Sequence, residues 1–220
     1  MRLFLPLMRQ HMRLAWRSGH SGLAVAFMFI AVMLMPLGLG PELKLLRALA
    51  PGLLWVVLVM ALMTSLDRLF QADFEDGHLD QLMLAPQALE ISVLAKLAGH
   101  YLALVVPLLL AVPLAGFLLN IAPARIPALW AAMALGSPAL VLLGGMGAAL
   151  AVSVKRGGLL AILLSLPFYV PVLIFGTAAS VAALDGELAM ARLAVLALLS
   201  AAALCVAPLA IAAALRAAQK

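Results

Sequence analysis

Charge is the scarcest commodity in this sequence. Only 10% of the 220 residues are Asp, Glu, Lys or Arg, whereas 67% are hydrophobic. A soluble domain holds roughly 25% charged residues, enough to cover its surface with groups that water solvates. So few charges cannot cover a water-exposed surface, so the solvent for most of this chain is lipid. Cysteine is nearly absent as well. Cys205 stands alone, which excludes an intrachain disulfide, and no Cys/His spacing matches a zinc or heme-attachment motif. It reads as a packing residue in an apolar stretch. No G-x-x-x-x-G-K-[ST] run occurs, so nucleotide must be hydrolysed elsewhere if it is used at all. Period-two alternation is missing, which argues against a transmembrane β-barrel. The net charge of +5 is not gathered into a basic patch of the kind nucleic-acid binders carry.

What remains is long apolar runs. A spanning helix needs about 20 predominantly apolar residues, and six segments qualify: 21–39, 48–66, 97–119, 127–153, 158–182 and 189–214. The expected fold is an all-α integral membrane protein, a single transmembrane domain over 1–220 with six spans and no soluble domain. The positive N-terminus precedes a run too long for a cleaved signal peptide, so the first span is expected to stay in place. Lys and Arg set orientation. Arg2, Arg9, Arg13, Arg17, Arg68, Lys96, Lys155, Arg156, Arg216 and Lys220 share the side of the termini, against Lys44, Arg47, Arg125 and Arg192 on the other. Ten against four places both termini in the cytoplasm.

No Asp, Glu, Lys or Arg lies near the centre of a span. Ion-coupled carriers place ionisable groups there because the coupling ion needs a ligand, so any transport is powered from outside this chain. Gly144-xxx-Ala148 and Gly147-xxx-Ala151 permit close helix contacts in the fourth span. Pro107, Pro113, Pro138, Pro167, Pro171 and Pro208 fall inside spans and are expected to kink them. Residues 1–20 form an amphipathic pattern. Arg2, Arg9, Arg13 and Arg17 lie on one helical stripe, with Leu3, Phe4, Leu7, Met8, Leu14 and Ala15 opposite, as suits a helix in the headgroup layer. Pro6 leaves its start open between residue 1 and residue 7.

One long polar segment, Asp67 to Pro86, separates the second and third spans. It holds Asp67, Asp73, Glu75, Asp76 and Asp80, five of the nine acidic residues, and Glu90 follows before the third span. Acidic groups contribute little to topology, so insertion does not require them. The stretch reads as a helix, a break at Gly77, and a short amphipathic helix with Leu79, Leu82 and Met83 apolar, stopped by Pro86. Apolar residues among acids, on a loop too short to fold alone, suggest docking onto another protein or the membrane surface.

This segment resembles the cytoplasmic loop of the heme exporter protein B (CcmB) family of the bacterial cytochrome c maturation system. The acidic run, Asp76-Gly77 and Gln81 to Leu84 carry the resemblance. Gly40-Pro41-Glu42, Ala50-Pro51-Gly52 with Trp55, Lys155 to Gly158, Leu166-Pro167, Pro171 to Phe175 and Ala212 to Arg216 extend it over nearly the whole chain. His78 departs from the Ser or Thr common there. The resemblance implies an ABC exporter permease-like subunit of the bacterial inner membrane, without catalytic residues of its own. Its partners would be a cytoplasmic ABC ATPase, a second copy of itself and a heme-handling membrane subunit. Residues 67–90 would form the cytoplasmic coupling loop, with Asp73, Phe74, Glu75, Asp76, Gly77, His78, Leu79, Asp80, Gln81 and Leu82 meeting the ATPase. ATP would bind the partner, and heme would be a substrate rather than a resident cofactor. His100, at the end of the third span, is the candidate heme contact, although an interfacial role suits a histidine there better. Two alternatives stay open. One is a scaffold whose ATP-driven movement releases a heme chaperone; the other is a permease for another lipophilic substrate.

Overall fold

The computed structural model describes residues 4–17, 19–40, 42–77, 88–154, 157–186 and 190–218. Six helices are long and apolar enough to cross a membrane: Ser21–Leu39, Leu43–Glu75, Leu89–Leu118, Pro123–Leu150, Gly157–Asp185 and Met190–Ala218. No strand occurs among the described residues. Lipid offers no hydrogen-bond partners, so the backbone of each apolar run bonds to itself as helix. The elements are α1 (Phe4–Arg17), α2 (His20–Leu39), α3 (Leu43–Glu75), α4 (Leu89–His100), a π-helical turn (Tyr101–Val105), α5 (Val106–Leu118), a 3-10 turn (Pro123–Arg125), α6 (Ile126–Leu150), α7 (Gly157–Asp185) and α8 (Met190–Ala218).

The number of spans among the described residues agrees with the sequence pattern, but two are much longer than hydropathy alone suggests. The second continues to Glu75 and the third begins at Leu89. Hydropathy marks the lipid-soluble part of a helix, whereas hydrogen bonding continues until something stops it. At 1.5 Å per residue the 33 residues of α3 extend about 50 Å, well beyond a hydrocarbon core of about 30 Å.

The central element is α6, packed against α3, α7 and α8. The small residues of the fourth span make this packing close, as expected. A methyl group on Gly147 would come within 2.8 Å of the Ala161 carbonyl of α7, and one on Gly145 would meet Leu97 of α4 at 2.8 Å. Trp55 of α3 is fully buried and donates its indole N–H to Ser180 Oγ of α7 at 2.9 Å. Its ring occupies a socket left by Gly136 and Gly176, where added methyls would approach it to 2.7 and 2.5 Å.

The third span does not run as one α-helix. Val106 N–H bonds to Tyr101 O, five residues back, one residue ahead of Pro107, which lacks an N–H and crowds the carbonyl four residues before it. The widened turn absorbs that mismatch. Pro113, Pro138, Pro167, Pro171 and Pro208 all remain inside helices. Cys205 is exposed on α8 instead of packed within the bundle.

Candidate functional site

The bundle end that carries the termini gathers α1, the last turns of α3, the start of α4 and the end of α8. The helical stretch and break expected after residue 67 are both present. The helix ends at Glu75, with Asp76 N–H bonded to Ala72 O at 2.9 Å and Gly77 N–H bonded to Phe74 O at 3.3 Å. Gly77 takes φ +71°, a left-handed conformation that turns the chain out of the helix.

The acidic run does not act as one surface. Asp73 turns inward and accepts a hydrogen bond from Lys96 Nζ of α4. Phe74 packs partly against the core, while Glu75 and Asp76 are exposed. Glu75 also accepts from Gln71 Nε2 at 2.9 Å, one helical turn back. Gly77 is half-buried. His78, Leu79, Asp80, Gln81 and Leu82, expected on the second half of this loop, lie outside the described residues, as does the short helix they would form.

Lys96 is the residue the charge count misjudged. Counted only as an orienting cation, it is buried at 9% exposure, with its ammonium 5.2 Å from the centre of the Phe70 ring. A buried ammonium is tolerated only with a partner, and Asp73 and the Phe70 π-face supply one. Neither hydropathy nor the charge count marks this burial, because it depends on how α4 packs against α3. A second ion pair joins Arg216 of α8 to Glu90 of α4 at 2.8 Å. The two sides of the loop are therefore tied to the bundle by ion pairs, Asp73 before it and Glu90 after it.

The N-terminal amphipathic pattern folds as a helix from Phe4, with Pro6 accommodated in its first turn, where no intrahelical N–H bond is lost. Arg9 and Arg13 are exposed, whereas Leu7, Met8, His11 and Met12 face inward. Arg2, Leu3 and the side chains of Leu14, Ala15 and Arg17 lie outside the described parts. The inward face rests on α4, and the contact requires glycine. A methyl on Gly99 would come within 2.8 Å of Met8 O and 3.0 Å of His11 Cβ. Burial draws the His11 imidazole down from 6.5 to about 4; the nearby Lys96 ammonium adds to this, and Asp73 opposes it.

Above the ion pair a polar line continues into the bundle. Ser65 Oγ of α3 lies 3.1 Å from His100 Nε2, and Tyr101 Oη lies 3.1 Å from Ser137 Oγ of α6. His100 is thus half-buried between α3 and α4 and engaged by Ser65, a different setting from the interfacial one expected. No group of three or more His, Cys, Asp or Glu side chains is arranged to hold a metal among the described residues.

These features define a multi-pass all-α membrane protein whose acidic loop is braced at both ends. The chain belongs to the CcmB protein family, matched over residues 2–218. It is 47% identical to heme exporter protein B of Paracoccus denitrificans over 211 residues, 96% of this chain and 97% of that one. Against heme exporter protein B of Pseudomonas aeruginosa it is 44% identical over 212 residues, covering 96% and 95% of the two chains. Identity to heme exporter protein B of Escherichia coli K12 is 40% over 194 residues, covering 86% and 88%.

Proposed function

We propose that this chain is the membrane subunit of an ABC transporter that exports or delivers heme for c-type cytochrome biogenesis. The observation that carries the reading is the similarity, over nearly its whole length, to proteins named heme exporter protein B. In this reading the chain sits in the bacterial inner membrane with both termini in the cytoplasm. Two copies pair and rest on a separate ATPase, alongside a heme-handling membrane partner, and α1 lies in the headgroup layer with Arg9 and Arg13 toward anionic lipid.

The coupling segment is 67–90, and the geometry supports a transmission role for it. The contact points are Glu75, Asp76 and the residues after Gly77. Asp73 instead holds α3 to α4, so that force on the loop is delivered to both helices and not dissipated in the loop. Heme is cargo, and His100 is a polar residue of the bundle held by Ser65 rather than a resident ligand site.

The test is reconstitution of the chain with its ATPase and membrane partner in liposomes, following heme across the bilayer. ATP-dependent flux that disappears when the ATPase is inactivated is expected. Release of a heme chaperone with no flux would replace export by the scaffold reading. Flux of a different lipophilic compound in place of heme would reassign the substrate.

A further inference from the structure

The bundle end away from the termini holds a cleft that the coupling loop and the helix packing leave unused. It lies between the first turns of α3 and the last turn of α7, encloses about 340 Å³, and has Lys44, Arg47 and Asp185 in its lining with Pro51, Val181 and Leu184 as apolar walls. Arg47 Nη2 donates to Leu184 O at 3.1 Å, which fixes the guanidinium at the cleft. That bond uses one of five guanidinium N–H donors. Arg125 adds a second guanidinium beside the same helix end. It lies so close to Gly186, at φ +83°, that any side chain there would collide with it. Capping the Leu184 carbonyl at the end of α7 explains why Arg47 is here. It does not explain Lys44, which is exposed, lines the cleft and has no ion pair among the described residues.

We propose that this cleft binds the oxyanion head, a carboxylate or a phosphate, of an amphiphile whose apolar part lies along Pro51, Val181 and Leu184. Three observations converge on that class. Lys44 and Arg47 outnumber Asp185, so the lining is net cationic, and Arg125 strengthens the field. An ammonium and a fixed guanidinium form charge-assisted hydrogen bonds to an oxyanion. The apolar walls are wasted on a fully water-soluble anion, and the cleft sits at the end of two membrane-spanning helices, where amphiphile heads reside. Asp185 limits the affinity, which suits a site that must also release what it holds.

The head chemistry is shared by anionic phospholipid and by heme, which carries two carboxylates. The choice of heme as a probe rests on the export reading; the phospholipid arm does not. The full chain in phosphatidylcholine nanodiscs is titrated with heme and read by quenching of tryptophan fluorescence. In a parallel arm, phosphatidylglycerol retained by the chain is counted by native mass spectrometry. Saturable binding of at least one is expected, weakened about tenfold by Lys44→Gln and strengthened several-fold by Asp185→Asn. Arg192→Gln, at the same bundle end but outside the cleft, leaves it unchanged. The opposite signs separate the site from a folding defect, since both altered side chains are exposed. Binding of heme alone makes the cleft a station for cargo; binding of phosphatidylglycerol alone makes it a lipid site. Absence of both, or binding indifferent to Lys44→Gln and Asp185→Asn, overturns the inference. Heme bound here with no ATP-dependent flux would sink the export reading alone, and flux with neither ligand bound here would sink the cleft alone.

Discussion

Lys96 of α4 donates to Asp73 of α3, joining the two helices that flank the acidic loop. The pair lies in the last turn of α3, about 45 Å from its start by helix geometry, so it braces that helix at the edge of the acidic loop. Both charges also lie close enough to His11 of α1 to influence its protonation.

Removing one partner leaves a charge stranded in a mostly apolar setting. Asp73→Asn is expected to destabilise the detergent-purified chain by about 3 kcal/mol, because the ammonium stays buried while its counter-charge is lost. Replacing both, as in Asp73→Leu with Lys96→Leu, should cost less than either single change, since no uncompensated charge remains. Thermal unfolding of Asp73→Leu, Lys96→Leu and the double variant tests the pair; additive losses would show that the two residues do not interact.

The Trp55 socket gives a steric prediction. Gly176→Ala places a methyl 2.5 Å from the indole, and overpacking of this kind costs about 1–3 kcal/mol. Gly22→Ala, where the added methyl meets nothing within 4 Å, should be close to neutral. Equal melting temperatures for the two variants would show that the α3–α7 contact is loose enough to admit the methyl.

The docking of α1 should depend on pH through His11. Its pKa in the folded chain is lowered to about 4 from 6.5, so the undocked helix binds a proton more readily than the docked one. Docking is then complete above about pH 6.5 and weakens as pH falls from there towards 4. Protection factors of α1 amides, which allow for the slower intrinsic exchange at low pH, should fall across that window, and His11→Leu should flatten the response. An equal fall in the variant would assign the effect to another group.

The exposed acids address the proposed ATPase contact. Glu75→Lys with Asp76→Lys is expected to abolish co-purification with the ATPase while membrane insertion persists. Asp73→Asn should leave co-purification largely intact, since that carboxylate faces Lys96. Retained co-purification of the Lys variant would remove these residues from the interface.

Apolar run length displayed the six spans, because crossing lipid leaves a backbone no alternative to helix. The Gly77 break and the small-residue contacts of α6 were legible for a similar local reason, namely turn geometry and helical spacing. Asp73 was not separable from Glu75 and Asp76. All three are acids within four residues, and only the rotation of α3 against α4 turns one of them inward. Lys96 looked like an orienting charge because hydropathy counts composition and not depth along a helix. The π turn was hidden for another reason: Pro107 announces a disturbance, but its neighbours decide whether the helix kinks or widens. His100 needed Ser65, thirty-five residues away in sequence, before its surroundings had any meaning.

The single helix α3 carries Lys44 and Arg47 at one end and Asp73 and Glu75 at the other. A body continuous between two binding surfaces obeys reciprocity. If occupancy of the far cleft favours one tilt of α3, a protein bound at the acidic end that favours the same tilt must raise the cleft's affinity by the same factor by which cleft occupancy raises its own. The length of this helix, well beyond what crossing a bilayer requires, makes the two faces of the membrane thermodynamic neighbours.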